Sequence, residues 1–345
     1  MSKILQVFTV TFVTILTLFG CQPATQSKEV NVYNWTSYLP EDLRADFTKE
    51  TGITLNYEEY DSNETMMAKI TAGAAYDVAF PSADFVPPMV SEGLIQAIDL
   101  TKIPNFSSID ETVVKLTQTF DPGNKYSIPY NIGTTGIVYW KDKVSNPGDS
   151  YALLSRPDLK GKTALLDDTR EVFGPALASL GFSGNSTNPQ EIEKATEVIL
   201  GWKNNALKFE NEQMPTLFSN QEIWVAMNYP ENILTEMDPD KLSNVGFFLP
   251  KEGGIAFLDN MVILKNAKNL ENAYVFINYI LKPENLARIV DEFGYPGISA
   301  KANEIRKTPA RYTSADLSNR EIKLPLYEKT ELYTQAWEEK IKIGE

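Results

Sequence analysis

The stretches NIGTTGI at 131–137 and GGIAFLDN at 253–260 interrupt a chain that otherwise alternates short β-type runs with helical runs. Glycine weakens strands and helices alike, so glycine pairs mark points where a chain changes course. No internal repeat, low-complexity tract or long linker separates the sequence into two consecutive halves. We therefore expect the chain to leave a first lobe near Gly133–Gly136, build a second lobe, and return near Gly253–Gly254.

The runs on either side of these glycines predict an α/β fold. Strands are expected at 30–34, 53–58, 77–80, 136–140, 163–167, 223–228, 245–249 and 259–264. Helices are expected at 41–50, 64–72, 85–92, 170–180, 190–204, 270–281, 283–292 and 331–341. Such alternation favours mostly parallel sheets with helices on both faces, and ligands then bind beyond the carboxyl ends of the strands.

The length of 345 residues suggests two domains. We predict an N-terminal lobe made of 30–135 plus 258–303 and a C-terminal lobe made of 136–257 plus 304–345. The segments that cross between these lobes would act as hinges, with the ligand cleft between the lobes.

Composition excludes several kinds of chemistry. The chain has 32 Lys and Arg against 46 Asp and Glu, one cysteine and no histidine. Without imidazole there is no Ser-His-Asp or Cys-His nucleophile and no histidine-rich metal site. A net charge of −14 argues against nucleic acid as a partner and favours a cationic ligand.

The N-terminus resembles a bacterial lipoprotein signal peptide. Lys3 precedes an apolar, threonine-rich run that ends in LFGC at 18–21, so 1–20 would be removed and Cys21 would carry the lipid. Phe19 is bulkier than the residue usual at that place. Residues 21–29 would tether the domain to a bacterial membrane. The alternative is a transmembrane anchor, for which the apolar run is short.

Ten strings across the rest of the chain resemble, in order, the periplasmic spermidine/putrescine-binding proteins of ABC transporters. They are YNWTSYLP at 33–40, FTKETGI at 47–53, DSNETM at 61–66, FPSADF at 80–85, YSIPYNIGTTGI at 126–137, LLDDTREVF at 165–173, LGFSGNSTNPQEIE at 180–193, PKEGGIAFLDN at 250–260, INYILKPE at 277–284 and GYP at 294–296.

This resemblance implies a two-lobed periplasmic binding protein fold and a monomer that is not an enzyme. It implies that the protein binds putrescine, spermidine or both outside the cytoplasmic membrane and delivers them to the permease subunits of an ABC transporter. It implies no cofactor and no metal.

The resemblance also implies a ligand site of carboxylates and aromatic rings. Rings would enclose the methylene chain and contact the ammonium groups, which the carboxylates would neutralise. The implied ligand residues are Trp35, Tyr38, Ser82, Asp84, Asp168, Glu171, Tyr229, Phe257, Asp259 and Tyr295. Glu231 and Asn232 are possible further polar contacts.

Several of these residues have simpler explanations. The spacing of Asp168 and Glu171 is that of a helix capping box, which is compatible with a role in the cleft. Asp84 stands where spermidine binders often carry tyrosine, so it is either a further carboxylate or a helix cap. Trp35 and Tyr38 by themselves could be core aromatics.

Two departures from the family pattern bear on the choice of amine. Phe257 stands where spermidine-type members tend to have tryptophan, and an approximate alignment puts Leu324 where they tend to have glutamine. A smaller ring and a lost polar contact favour putrescine, with dual binding as the alternative.

Two other classes of function are compatible with the composition. One is a glycoside hydrolase that uses Asp167, Asp168 or Glu171 as its acid and base. The other is a binding protein for a different solute, such as a cationic peptide, an amino acid or ferric iron.

Overall fold

A computed structural model describes residues 28–343, which form two mixed β-sheets flanked by helices. The predicted signal peptide 1–20 and Cys21 lie outside the described residues, as does most of the predicted tether. No helix within the described range is long and apolar enough to cross a membrane.

The strands, in chain order, are β1 Glu29–Trp35, β2 Thr54–Tyr60, β3 Val78–Ala79, β4 Ile128–Thr134, β5 Gly136–Trp140, β6 Thr163–Leu165, β7 Ala206–Phe209, β8 Val225–Asn228, β9 Val245–Phe248, β10 Gly254–Ile263 and β11 Arg320–Ile322. The α-helices are α1 Glu41–Thr51, α2 Asn63–Thr71, α3 Val86–Ser91, α4 Glu111–Thr117, α5 Thr169–Ser179, α6 Pro189–Lys203, α7 Met214–Ser219, α8 Pro230–Thr235, α9 Leu270–Ile280, α10 Pro283–Phe293, α11 Ala300–Ile305 and α12 Thr330–Ala336. A π-helical turn at Trp337–Ile341 continues α12.

The first sheet has the order β11-β10-β3-β1-β2, and β4 also pairs with β10. Strand β1 runs parallel to β2 and β3, whereas β10 runs antiparallel to β3 and β4 and parallel to β11. Successive residues of β1 point to opposite faces, so Val32 packs into one core and Tyr33 into another.

The second sheet has the order β7-β6-β8-β5-β9. Strand β6 is parallel to its neighbours β7 and β8, and β5 is antiparallel to β8 and β9. The α/β class is confirmed, and both sheets are mixed, since β10 runs antiparallel to β3 and β4 in the first sheet and β5 runs antiparallel to β8 and β9 in the second. The second sheet also has a core on each face, with Ile137 and Val138 on opposite sides.

The chain passes between the sheets at the two glycine-marked stretches. Strand β4 ends at Thr134 in the first sheet and β5 begins at Gly136 in the second, while β9 ends at Phe248 and β10 begins at Gly254 back in the first. The division into two lobes that move as bodies stays a prediction.

Residues 304–322 do not follow the predicted allocation to the C-terminal lobe. Strand β11 pairs with β10, and Tyr312, Leu317 and Ile322 pack into a core of the first sheet. Apolar side chains spaced along this segment cover the first sheet before the chain crosses again. The last stretch, with Tyr333 and Ile341, packs into a core of the second sheet.

Helix α5 of the second sheet packs closely on strand β10 of the first. A Cβ atom added to Gly174 would lie 2.7 Å from Cγ1 of Ile255, and one added to Gly184 would lie 2.5 Å from its Cγ2. Glycine is therefore required at both positions by the close approach of Ile255.

We expect Gly174→Ala to lower the free energy of unfolding by about 1–3 kcal/mol, because the added methyl group overlaps Ile255. Chemical denaturation of the parent and variant measures this difference. Gly201→Ala in α6 is the matched control, since nothing lies within 4 Å of its added Cβ, and it should stabilise the helix by about 0.5–1 kcal/mol.

The double variant Gly174→Ala/Ile255→Ala should cost less than the sum of the two single changes, because truncation removes the atoms that clash. Strictly additive costs would show that Ile255 is not the source of the constraint.

Candidate functional site

A cavity of about 610 Å³ lies between the two sheets. Most of its walls lie at the carboxyl ends of parallel strands: Trp35 ends β1 and Tyr38 follows it, 61–64 follow β2, 82–85 follow β3, 168–170 follow β6, and 229–232 follow β8. This is the edge at which a ligand site was expected. The lining residues are Trp35, Tyr38, Asp61, Ser62, Asn63, Glu64, Ser82, Asp84, Phe85, Asp168, Arg170, Tyr229, Glu231, Asn232, Phe257, Asp259, Tyr295 and Lys323.

Nine of the ten sequence-predicted ligand residues line this cavity, and Glu171 is the exception. Glu171 is 2% exposed and lies behind the wall. Their joint position agrees with a common site, while their role as ligand contacts stays a prediction.

The carboxylate of Asp259 is held by hydroxyl groups from the facing segments. Ser82 Oγ donates to its Oδ1 at 2.6 Å, and the Tyr38 hydroxyl donates to its Oδ2. Tyr38 is fixed in turn by Asn131, whose Nδ2 donates to the phenol oxygen at 2.8 Å. A backbone bridge joins residues 82 and 259, so the chain itself positions this pair.

Burial raises the pKa of Asp259 to about 6, although the hydroxyl donors Ser82 and Tyr38 act in the opposite direction. A carboxyl group in such a place is costly to ionise unless a cation pairs with it. The site is therefore built to gain from a positively charged ligand.

Two groups of aromatic rings flank Asp259. In the first, the rings of Tyr38 and Tyr295 meet edge to face at 5.5 Å, and Trp35 lies 6.4 Å from Tyr38. The indole nitrogen of Trp35 donates to the Phe80 carbonyl at 2.8 Å, which fixes its orientation.

The second group comes from the other side of the cavity. The rings of Tyr229 and Phe257 meet edge to face at 5.4 Å. Tyr229 follows β8 of the second sheet and Phe257 lies in β10 of the first, so these rings close the cavity across the two sheets.

Asp168 caps a helix and also lies in the cavity wall. Its side chain accepts a hydrogen bond from the Glu171 backbone N–H at 2.9 Å and so caps α5, and the residue also lines the cavity. Glu171 forms an ion pair with Lys323, with 3.7 Å between Oε1 and Nζ. Burial raises the pKa of Glu171 to about 7, against the opposing effect of Lys323.

Asp84 also lines the cavity, and its Oδ1 is buried without a hydrogen-bond partner among the described residues. It does not cap the turn that begins beside it, since the N-terminal position there belongs to Ser82. The structure thus favours a carboxylate facing the cavity over a helix cap.

Glu231 and Asn232 line the cavity as well. Burial raises the pKa of Glu231 to about 7. Asp167, in contrast, lies outside the lining, and its Oδ2 pairs with Nζ of Lys342 at 3.1 Å.

Sequence reasoning missed two cations of the cavity, Arg170 and Lys323, and the helix start at 61–64. Lys323, and not Leu324, is the lining residue of its segment. Leu324 therefore does not favour putrescine through a lost polar contact in the cavity. A single lysine between Ile322 and Leu324 gives no signal by itself, because it reads as an ordinary strand end.

Comparison with known proteins shows which family has this arrangement. Residues 42–316 match the family of bacterial extracellular solute-binding proteins. The chain is 39% identical over 285 residues to the spermidine/putrescine-binding periplasmic protein of Escherichia coli, covering 82% of this chain and 81% of that protein. It is 34% identical over 349 residues to the putrescine-binding periplasmic protein SpuD of Pseudomonas aeruginosa, covering 94% and 95%.

Among solved structures, the TpPotD lipoprotein of Treponema pallidum superimposes with a TM-score of 0.85 at 35% identity, covering 90% of this chain and 98% of that one. The family match spans most of the sequence, and two of these relatives exceed 34% identity over more than four-fifths of it. The chain belongs to the bacterial extracellular solute-binding proteins, a family of transport proteins and not of enzymes.

Proposed function

We propose that the protein binds putrescine, spermidine or both outside the cytoplasmic membrane and delivers them to the permease of an ABC transporter. The observation that carries this proposal is the buried Asp259 carboxylate, held by Tyr38 and Ser82 at the centre of an aromatic cavity. The names of the relatives in Escherichia coli and Pseudomonas aeruginosa support the same ligand class.

The geometry suits a linear amine in three respects. Carboxylates at Asp168 and Asp259 supply charge, rings such as Trp35, Tyr229 and Phe257 cover apolar surface, and the walls come from both sheets. A cation over a ring contributes about 0.5–1 kcal/mol when exposed and about 2 when desolvated. A charge-assisted hydrogen bond contributes about 1.5–3 kcal/mol.

These free-energy contributions are sufficient for micromolar affinity. Micromolar binding needs about 8 kcal/mol, which two anchored ammonium groups and two or three rings supply even after the costs of ordering and desolvation. The proposal includes no reaction: Asp168 caps a helix and Glu171 pairs with Lys323, so neither is arranged as a free acid–base pair for a glycoside.

We propose in addition that Cys21 carries a lipid that holds the protein at a bacterial membrane. The LFGC motif at 18–21 supports this part of the proposal, and one structural relative is itself a lipoprotein.

Isothermal titration of residues 22–345 with putrescine, spermidine and cadaverine tests the main proposal. We expect Asp259→Asn to weaken binding roughly 30- to 150-fold, because one charge-assisted contact worth about 2–3 kcal/mol is lost. Asp149→Asn is the matched control, since Asp149 pairs with the exposed Lys251 at 2.9 Å away from the cavity. No heat and no thermal shift with any of the three amines would refute polyamine binding.

Binding should weaken as the pH falls. In the ligand-free protein burial raises the pKa of Asp259 to about 6, and an ammonium ligand requires this carboxylate ionised. Below about pH 6 the dissociation constant for putrescine should therefore rise by up to about tenfold per pH unit. Titration calorimetry between about pH 5 and about pH 7.5 measures this dependence.

The stability of the ligand-free protein should depend on pH in the opposite direction. A raised pKa means that the folded state binds the extra proton, so the contribution of Asp259 to stability is complete below its unfolded pKa and is lost as the pH rises through about 6. The thermal shift caused by putrescine should therefore grow with pH. A shift that is independent of pH in the parent, and equal to that of Asp259→Asn, would contradict this account.

Lipid attachment is tested separately by expressing the full chain in a bacterial host. The parent should partition into the detergent phase and Cys21→Ser into the aqueous phase. Equal partition of the two would exclude Cys21 as the anchor.

A further inference from the structure

Lys323 brings a cation into a cavity whose other features favour cations. It directly follows β11, and its backbone N–H donates to the Ala256 carbonyl at 3.0 Å. The adjacent strand β10 carries Phe257 and Asp259. The side chain of Lys323 is therefore fixed at its base by the same strand that supplies the ligand site.

The ammonium group of Lys323 pairs with Glu171 and also feels the charge of acids from both sheets. The side chain is 18% exposed, and Nζ lies 3.7 Å from Oε1 of Glu171. Burial acts to lower the pKa of Lys323, but the carboxylates of Asp84, Glu171 and Asp168 outweigh burial and Arg170 and hold this pKa above its ordinary value. Lys323 is thus positively charged throughout the neutral range.

The side chain of a lysine ends in the same chemical group as a linear polyamine, a short methylene chain with a terminal ammonium. Asp84 follows β3 of the first sheet, and Asp168 and Glu171 follow β6 of the second. Lys323 therefore places an ammonium group where a bound amine would meet carboxylates from both sides of the cavity.

We propose that Lys323, paired with Glu171 behind the wall, acts as a built-in ammonium group in the cavity lined by Asp84 and Asp168 and thereby makes a short diamine the preferred ligand. This inference rests on the proposed function. One ammonium group of a diamine pairs with Asp259. The other pairs with Asp84 and Asp168, whose negative charge Lys323 neutralises only in part. A triamine brings a third cation against Lys323 and Arg170, where like charges repel in a partly dry cavity.

Asp84 also bears on the charge of Lys323. A carboxylate there, with a buried oxygen that accepts no hydrogen bond from the described residues, supplies a countercharge for Lys323. Both residues line the same cavity.

Calorimetry with putrescine and spermidine near neutral pH tests the proposal on the parent, Lys323→Gln and Lys323→Arg. The parent should bind putrescine at least about tenfold more tightly than spermidine. Lys323→Gln should shift the ratio of the two dissociation constants towards spermidine by about tenfold or more, because the repelling charge is gone. Lys323→Arg keeps the charge and should keep the preference.

Lys251→Gln is the matched control, since it removes an exposed lysine whose ion pair with Asp149 lies outside the cavity. Its ratio should equal that of the parent. A parent that binds spermidine as tightly as putrescine overturns the role of Lys323 whether or not the variants fold, and so does an unchanged ratio in Lys323→Gln. A parent that binds neither amine refutes the proposed function itself.

Discussion

The arrangement of the molecule depends on strand β10. Its ten residues pair with β3, β4 and β11, so it holds the first sheet together, and its second residue, Ile255, packs against Gly174 of α5 and against Gly184. The same strand carries Phe257 and Asp259 into the cavity. Moving β10 by one residue would exchange the faces of these side chains, because side chains alternate along a strand. The register of β10 therefore determines both the strand pairing of the first sheet and which side chains face the cavity.

Much of the α/β pattern follows from hydrophobic periodicity. Helices such as α6 and α9 begin and end within a residue or so of the predicted bounds. Strand β4 gave no such signal, because all seven of its residues are buried and include Pro129 and Asn131. A strand buried on both faces shows no alternation. The short strand β11 also has too few residues for a period to be recognised.

The candidate site could be assembled from motifs because most of its residues follow strand ends in short, characteristic strings. Nine of ten expected residues face one cavity. The motifs did not include Lys323, which adds a positive charge to the cavity. Lys323 enters from a segment that was assigned to the other lobe, and its significance depends on neighbours more than 150 positions earlier in the sequence. Only the folded chain brings Asp84, Glu171 and Lys323 together.

The fixed orientation of Trp35 has an optical consequence. Of the five tryptophans, at positions 35, 140, 202, 224 and 337, only Trp35 is among the residues that line the described cavity. Its indole N–H is already bonded to the Phe80 carbonyl, so its ring cannot turn freely away from whatever enters. A change in intrinsic fluorescence on filling the cavity would then come mainly from this one ring. The protein carries its own spectroscopic reporter at the ligand site.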